Sequence, residues 1–193
     1  MLSVKIKWFQ FLTVLISLSA LFLACGSNEP LRSEVQSFRE QMLADFNLLK
    51  SRLITALEKD KPVMAAGDVI ENFLLELKEN DRRIFGIGFL NKSGEYVTGF
   101  VIENITTGKL IKDKYKDMNF HSFKVVEQIV KSRKIMQEKL YLPDAGILAI
   151  GFPLVNEGEL LGILCFTFKS NEFKKKWEIS EKEFLEIDFG KAL

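Results

Sequence analysis

The feature that most constrains the fold is a long run of apolar residues at helical spacing. Spacings of four and three residues separate Leu31, Val35, Phe38, Met42, Phe46, Leu49, Leu53 and Leu57. This is the period of one face of an α-helix. Pro30 suits a first helical turn, and Lys61-Pro62 is a sequence at which a helix ends. We therefore predict one long amphipathic helix over residues 31–59 that buries one face inside the domain.

Beyond this helix, the hydrophobic pattern changes to that of short strands separated by turns. We predict strands at residues 84–90, 96–102, 135–142, 147–155 and 160–169, a second helix capped by Asp68, a third capped by Asp117 or Asn119, and a short last helix that ends near Phe189. Each connection between strands is a hairpin or passes through a helix, which favours antiparallel pairing. The fold class is therefore α+β, with an antiparallel sheet of about five strands and the long helix packed on it. Ser180 and Glu183 have the spacing of a capping box in the last helix.

Charge and motifs exclude several classes of function. The 27 basic and 26 acidic residues nearly balance, which gives neither a nucleic-acid footprint nor a polybasic membrane patch. Metalloprotease, phosphate-loop and nucleophile-elbow motifs are absent, and no cofactor motif is present. His121 is the only histidine, so a multi-histidine metal site is excluded. Cys165 lies in an apolar strand and is interpreted as an unreactive core thiol. We therefore predict that the chain is not an enzyme and holds no metal.

The N-terminal segment has the pattern of an export signal. Lys5 and Lys7 precede an almost wholly apolar run that ends at Ala24-Cys25. The alternative is a membrane-spanning helix, for which the run is just long enough, but such a helix does not require a small residue and a cysteine at its end. The segment resembles a bacterial lipoprotein signal. That resemblance implies a signal peptide at 1–24, lipidation of Cys25, a tether at 25–30, and anchoring in the cell envelope outside the cytoplasm.

Two hairpin sequences resemble the Cache family, the extracytoplasmic PAS-like sensor domains of bacteria. The first is FGIGFLNKSGEY, residues 85–96, and the second is AIGFPLVNEGELLGIL, residues 149–164. The second has the family's closing pattern of a proline-hydrophobic pair, a polar turn with glycine, and a hydrophobic-glycine-hydrophobic strand. The resemblance covers residues 31–170 and leaves a helical tail at 171–193. It implies a small-molecule sensor whose ligand lies between the curved sheet and the helix after the second strand.

The expected pocket residues come from that sheet face and that helix. Period-two alternation predicts that Tyr96, Thr98, Phe100 and Ile102 share a face. The predicted ligand-binding residues are Tyr96, Thr98, Phe100, Phe120, His121, Tyr141 and Phe152, with ordinary core packing as the alternative. The family's amino-acid-binding members carry an aromatic-arginine-aromatic motif in the third helix, which residues 120–134 lack. The resemblance therefore implies a weakly polar or apolar ligand, or none, rather than an amino acid.

These observations predict a lipid-anchored extracytoplasmic sensor that acts through a partner, because no second apolar span or output module follows the sheet. The alternative is a structural or interaction lipoprotein with a vestigial pocket that docks through its long helix. Leu43, Leu48 and Ile54 lie off the main stripe of that helix. They predict either a contact of helix 31–59 with a second copy or an envelope protein, or packing against the second helix.

Overall fold

The computed structural model describes residues 32–57, 62–79, 84–104, 109–142 and 145–190. The predicted signal peptide and tether, residues 1–30, lie outside them. The helices are α1 (Ser33–Leu57), α2 (Pro62–Glu79), α3 (Lys124–Ser132), α4 (Ser170–Trp177) and α5 (Glu181–Glu186), and a 3₁₀ helix spans Phe120–Ser122. The strands are β1 (Gly86–Asn91), β2 (Tyr96–Asn104), β3 (Lys109–Lys112), β4 (Met136–Leu142), β5 (Ala145–Asn156) and β6 (Glu159–Lys169).

The sheet has six strands in the order β3-β2-β1-β6-β5-β4, and all described pairs are antiparallel. The predicted α+β class and antiparallel sheet are confirmed, with one strand more than expected. The additional strand is β3, an edge strand of four residues, none of them buried. β3 buries neither face, and its sequence Lys-Leu-Ile-Lys is too short to show the hydrophobic alternation that predicts a strand.

The predicted stripe of α1 packs on one face of the sheet, together with α2. Six of its residues are buried there: Val35, Phe38, Met42, Phe46, Leu49 and Leu53. Leu43 and Ile54 also pack against this main core, whereas Leu48 remains 47% exposed. Leu43 and Ile54, two of the three residues off the stripe, therefore pack inside the domain.

The C-terminal helices close one end of the same core. The Phe38 ring meets Phe168 of β6 at 5.6 Å and Phe173 of α4 at 5.4 Å between centroids. Phe184 of α5 lies 5.1 Å from Phe173. These edge-to-face contacts join the first described helix to the last two, because aromatic rings favour such geometry.

The predicted capping box of α5 is confirmed. The Ser180 side chain accepts a hydrogen bond from the Glu183 backbone N–H at 3.2 Å, and the Glu183 carboxylate accepts one from the Ser180 N–H at 2.8 Å. The helix ends at Glu186 rather than near Phe189. This cap was predictable because both partners lie within one helical turn.

The predicted caps of α2 and α3 are wrong. Helix α2 begins at Pro62, which suits a first helical position because it lacks an N–H group. Asp68 therefore lies inside α2. Asn119 makes no capping side-chain bond to the 3₁₀ helix, and Asp117 lies in the turn before it. Instead, Glu138 of β4 accepts a hydrogen bond from Val125 N at 2.8 Å, so the cap of α3 comes from another element.

Among the described helices, none combines the length and the low charge needed to cross a membrane.

Candidate functional site

A cavity of about 60 Å³ lies on the sheet face opposite α1 and α2. The sheet forms its floor, and the segment between β3 and β4, including α3, forms its roof. Its walls are mainly apolar and include Phe85, Leu90, Phe120, Phe123, Val126 and Ile147. The cavity lies between the sheet and the helix that follows β3, which is the region where the resemblance to the Cache family implies a ligand.

A row of small residues crosses the floor of the sheet. Register pairs Gly99 of β2 with Gly88 of β1, Gly88 with Cys165 of β6, and Cys165 with Gly151 of β5. A Cβ atom at Gly151 would lie 2.3 Å from Ile129 Cδ1, so α3 fills the space above that position. A Cβ atom at Gly88 would meet no atom within 4 Å. The cavity therefore exists because side chains are missing above β1, beside the point where α3 packs.

A β-bulge in β2 interrupts the predicted alternation, so Tyr96 and Thr98 lie on opposite faces of the strand. Phe89 pairs with Thr98, but Leu90 pairs with Tyr96, which leaves Val97 as the extra residue. Tyr96 therefore shares the cavity face with Leu90, and Thr98 shares the opposite face with Phe89. The prediction that Tyr96 and Thr98 lie on one face is wrong, because a period of two holds only while strand pairing is regular.

Asp113 fixes the wall of the cavity that contains Tyr96. Its Oδ1 atom accepts hydrogen bonds from the Tyr96 hydroxyl at 2.9 Å, the Thr98 hydroxyl at 3.2 Å and Gly99 N at 3.0 Å. The Asp113 N–H in turn donates to Gly99 O at 2.8 Å. Asp113 lies just after β3, in the left-handed region at φ 50°. One carboxylate oxygen thus binds side chains from both faces of β2.

Burial and the hydrogen bond to Asp113 raise the pKa of the Tyr96 phenol well above its usual range. The Tyr96 ring stacks on Phe120, with centroids 5.3 Å apart and planes 21° apart. The Tyr96 side chain is therefore neutral near pH 7, and its contacts with Asp113 and Phe120 hold it in the wall of the cavity. Sequence analysis missed Asp113, because residues 105–119 carry no hydrophobic period that places this carboxylate beside β2.

The remaining predicted residues are distributed over the cavity, the main core and the protein surface. Phe120 lines the cavity, and Phe100 borders it while also packing in the main core. Phe152 is buried on the opposite face, stacked on Phe46 at 4.6 Å. His121 is exposed. Tyr141 is 75% exposed, because its neighbours Leu140 and Leu142 take the cavity face of β4.

Thr98, His121, Tyr141 and Phe152 are not among the described residues that line the cavity. The structure instead adds residues that sequence analysis did not select, including Phe85, Gly88, Gly99, Phe123 and Cys165. One signal in the sequence pointed to the glycines, since isolated glycine inside a strand often marks close approach or missing packing.

Two polar lining residues, Cys165 and Thr167, are neutral. Burial raises the pKa of the Cys165 thiol to about 12, so the thiolate is not formed near neutral pH. The Thr167 hydroxyl donates to Gly86 O at 2.9 Å. The site therefore offers shape and apolar contact rather than a nucleophile or a charge cluster.

Comparison with known proteins gives matches among solved structures alone. No family model and no curated protein matches the sequence. A domain of a Vibrio parahaemolyticus protein assigned to the sensory box/GGDEF family is similar, with a TM-score of 0.61, 12% identity, and coverage of 78% of this chain and 60% of that one. The fold is that of Cache/PAS-like sensory domains.

A second similar structure is the sensory domain of the Campylobacter jejuni chemoreceptor Tlp3, with a TM-score of 0.54, 12% identity, and coverage of 74% of this chain and 57% of that one. The same chemoreceptor domain with L-valine has a TM-score of 0.54, 12% identity, and coverage of 77% and 59%. This chain thus spans about 60% or less of these structures. The likeness at such identities is one of fold, and these neighbours are sensory domains rather than enzymes.

We expect Gly88→Ala to stabilise the protein. The new methyl group enters open space and buries apolar surface worth about 0.8 kcal/mol. Replacing glycine in a strand interior contributes a further gain of about 0.5–1 kcal/mol. Urea unfolding of the purified protein measures the change in unfolding free energy.

Gly99→Ala is the matched control for the Gly88 variant. Its Cβ would lie 2.9 Å from the Tyr96 hydroxyl and 3.0 Å from Ile87 O, so overpacking should cost about 1–3 kcal/mol. Equal destabilisation by both variants would contradict the open space above Gly88.

We expect the raised pKa of Tyr96 to make the free energy of unfolding fall at alkaline pH. In the unfolded chain its phenol ionises near pH 10, whereas in the folded protein its raised pKa keeps it neutral. The unfolded state is therefore favoured as pH rises above about 10, by at most about 1.4 kcal/mol per pH unit and less because the ring is partly solvated. Urea unfolding from pH 9 to 11 should show a shallower loss in Tyr96→Phe than in wild type. An equal loss of unfolding free energy in Tyr96→Phe and wild type would contradict this assignment.

Proposed function

We propose that this chain is a lipid-anchored, extracytoplasmic sensor domain that binds a small molecule in the cavity above Gly88 and passes the signal to a partner protein. The observation that carries the proposal is the open space over Gly88. A chain under selection for stability alone has little reason to keep glycine there, because a larger side chain fits and would increase burial. Retained empty space in an apolar, partly closed site is typical of a binding cavity.

The similar structures support ligand binding as the use of this fold. The Tlp3 sensory domain is described with isoleucine, L-norvaline and L-valine bound. Another similar structure is described as the extracellular domain of a protein assigned as a histidine kinase. These descriptions concern those proteins, and they support our proposal that this chain also detects a small molecule outside the cytoplasm.

The N-terminal segment supports the proposed lipid anchor at Cys25. An apolar run that begins after two lysines and ends at Ala24-Cys25 is suited to export and lipid attachment. A diacylated Cys25 would keep the sensor at the membrane surface. Such a domain would act by contact with a separate signalling protein.

The α1–α2 surface favours a partner contact as the route of output. Leu48 of α1 and Leu75 of α2 are 47% and 39% exposed, beside an open groove lined by Ser51, Arg52 and Glu76 among others. Apolar side chains next to polar groups are suited to a transient protein contact. This observation also favours the alternative function, an interaction lipoprotein whose cavity has no ligand.

A thermal-shift screen with metabolites tests the sensor proposal. At a ligand concentration one hundred times the dissociation constant, binding should stabilise the protein by about 2.7 kcal/mol and raise the midpoint by several degrees. Gly88→Val should abolish the shift, because its side chain occupies the cavity. His121→Ala should keep the shift, since His121 is exposed and does not line the cavity. If no metabolite shifts the wild type, the interaction function is favoured.

Mass spectrometry and acyl labelling test the anchor. Expressed in a bacterium, the wild-type protein should begin at Cys25 and carry lipid. Cys25→Ser should lose the label, because serine cannot form the thioether, whereas Cys165→Ser should retain it. An unmodified Cys25 in the intact membrane-bound protein would rule out lipid anchoring.

A further inference from the structure

We infer that the ligand of the cavity is a small neutral molecule with a short branched alkyl group, held by shape rather than by ion pairing. This inference rests on the proposed function and specifies the chemistry of the same site. It separates this chain from the neighbours described with zwitterionic amino acids.

The first argument is that three polar side chains of the cavity are already bonded or neutral. The Tyr96 hydroxyl donates to Asp113, and the Thr167 hydroxyl donates to Gly86 O. The Cys165 thiol is neutral. A ligand carboxylate or ammonium placed deep in the cavity would lose its water without gaining a strong partner from these groups, which is unfavourable.

The second argument concerns the charges around the cavity. Lys114 is the only charged residue among the described residues that line it. Lys114 is exposed, and its ammonium lies 5.2 Å from the centre of the Tyr115 ring. The Asp113 carboxylate lies directly behind the Tyr96 hydroxyl, where its negative charge opposes an anionic ligand. The interior thus disfavours anions, and Lys114, the one cation among the described lining residues, is exposed to solvent.

The third argument is size and shape. A volume of about 60 Å³ is well above the roughly 10–15 Å³ that one water requires and below the roughly 150 Å³ of an apolar cavity that binds benzene. Open space lies over Gly88, and the apolar side chains of Leu90 and Val126 also line the cavity. A short branched alkyl group fits that space, while a hydroxyl or carbonyl group of the ligand can remain at the mouth in contact with water.

Isoamyl alcohol and isovalerate test the inference, because they share a five-carbon skeleton and differ in charge. L-valine, which carries both charges, is the third probe. With the full-length lipidated protein in detergent at pH 7, isoamyl alcohol should raise the thermal midpoint by a few degrees in a saturable manner. Isovalerate and L-valine should give no shift at the same concentrations.

Two variants locate the binding. Gly88→Val should abolish the shift with isoamyl alcohol, and His121→Ala, at an exposed position that does not line the cavity, should leave it unchanged. A shift that survives in Gly88→Val would place the alcohol elsewhere and overturn the inference. A shift with isovalerate or L-valine that Lys114→Gln removes would also overturn it, since Lys114 would then recruit a carboxylate.

The inference and the proposed function can fail separately. If isoamyl alcohol gives no shift, the neutral-ligand inference is wrong. The metabolite screen then decides the proposed function independently, because a charged metabolite whose shift is lost in Gly88→Val would leave the sensor function standing.

Discussion

The pairing of β1 with β6 is the contact on which the rest of the structure depends. These strands lie at the centre of the sheet although Gly88 and its partner Cys165 are far apart in the sequence. Their register determines which residues face α1 and α2 and which face the cavity. Because side chains alternate along a strand, a slip of one residue would exchange the two faces of β1. The core and the cavity therefore depend on the same register.

The two faces of the sheet are filled in contrasting ways. One row of register partners, Phe100–Ile87–Phe166–Ile150, packs in the main core with α1 and α2. The adjacent row, Gly99–Gly88–Cys165–Gly151, faces α3 and the cavity. Large apolar residues give the first face its stability, whereas small residues on the second leave space that α3 fills in part. A stable core on one side allows the other side to keep a cavity, because the loss of packing there is offset elsewhere.

Asp113 connects the cavity wall to the other face of the sheet. The bulge at Val97 turns Tyr96 toward the cavity and Thr98 toward α2, and one Asp113 oxygen accepts hydrogen bonds from both. A Cβ at Gly67 of α2 would lie 3.6 Å from the Thr98 hydroxyl oxygen. The cavity wall at Tyr96 is thus joined by two hydrogen bonds to Thr98, whose side chain lies on the face that α2 covers. Under the proposed function, these hydrogen bonds are the connection through which occupancy of the cavity would reach α2.

The sequence by itself determined the features whose causes lie within a few residues of each other. The stripe of α1 follows from its helical period, and the Ser180–Glu183 capping box follows from its spacing. The turn between β1 and β2 is also local, since Asn91 Oδ1 accepts from Ser93 N at 2.9 Å and Gly94 has φ 84°. These features give the α+β class and the hairpins.

Only the tertiary structure decided the features whose partners are remote in sequence. Glu138 caps α3 from β4, the edge strand β3 forms by pairing with β2, and Asp113 reaches the wall of the cavity from beyond β3. The bulge in β2 places Tyr96 in that wall and removes Thr98 from it. The physical reason is that a sequence period assigns residues to faces only while pairing is regular. Which face becomes core and which keeps a cavity depends on the elements that pack above it.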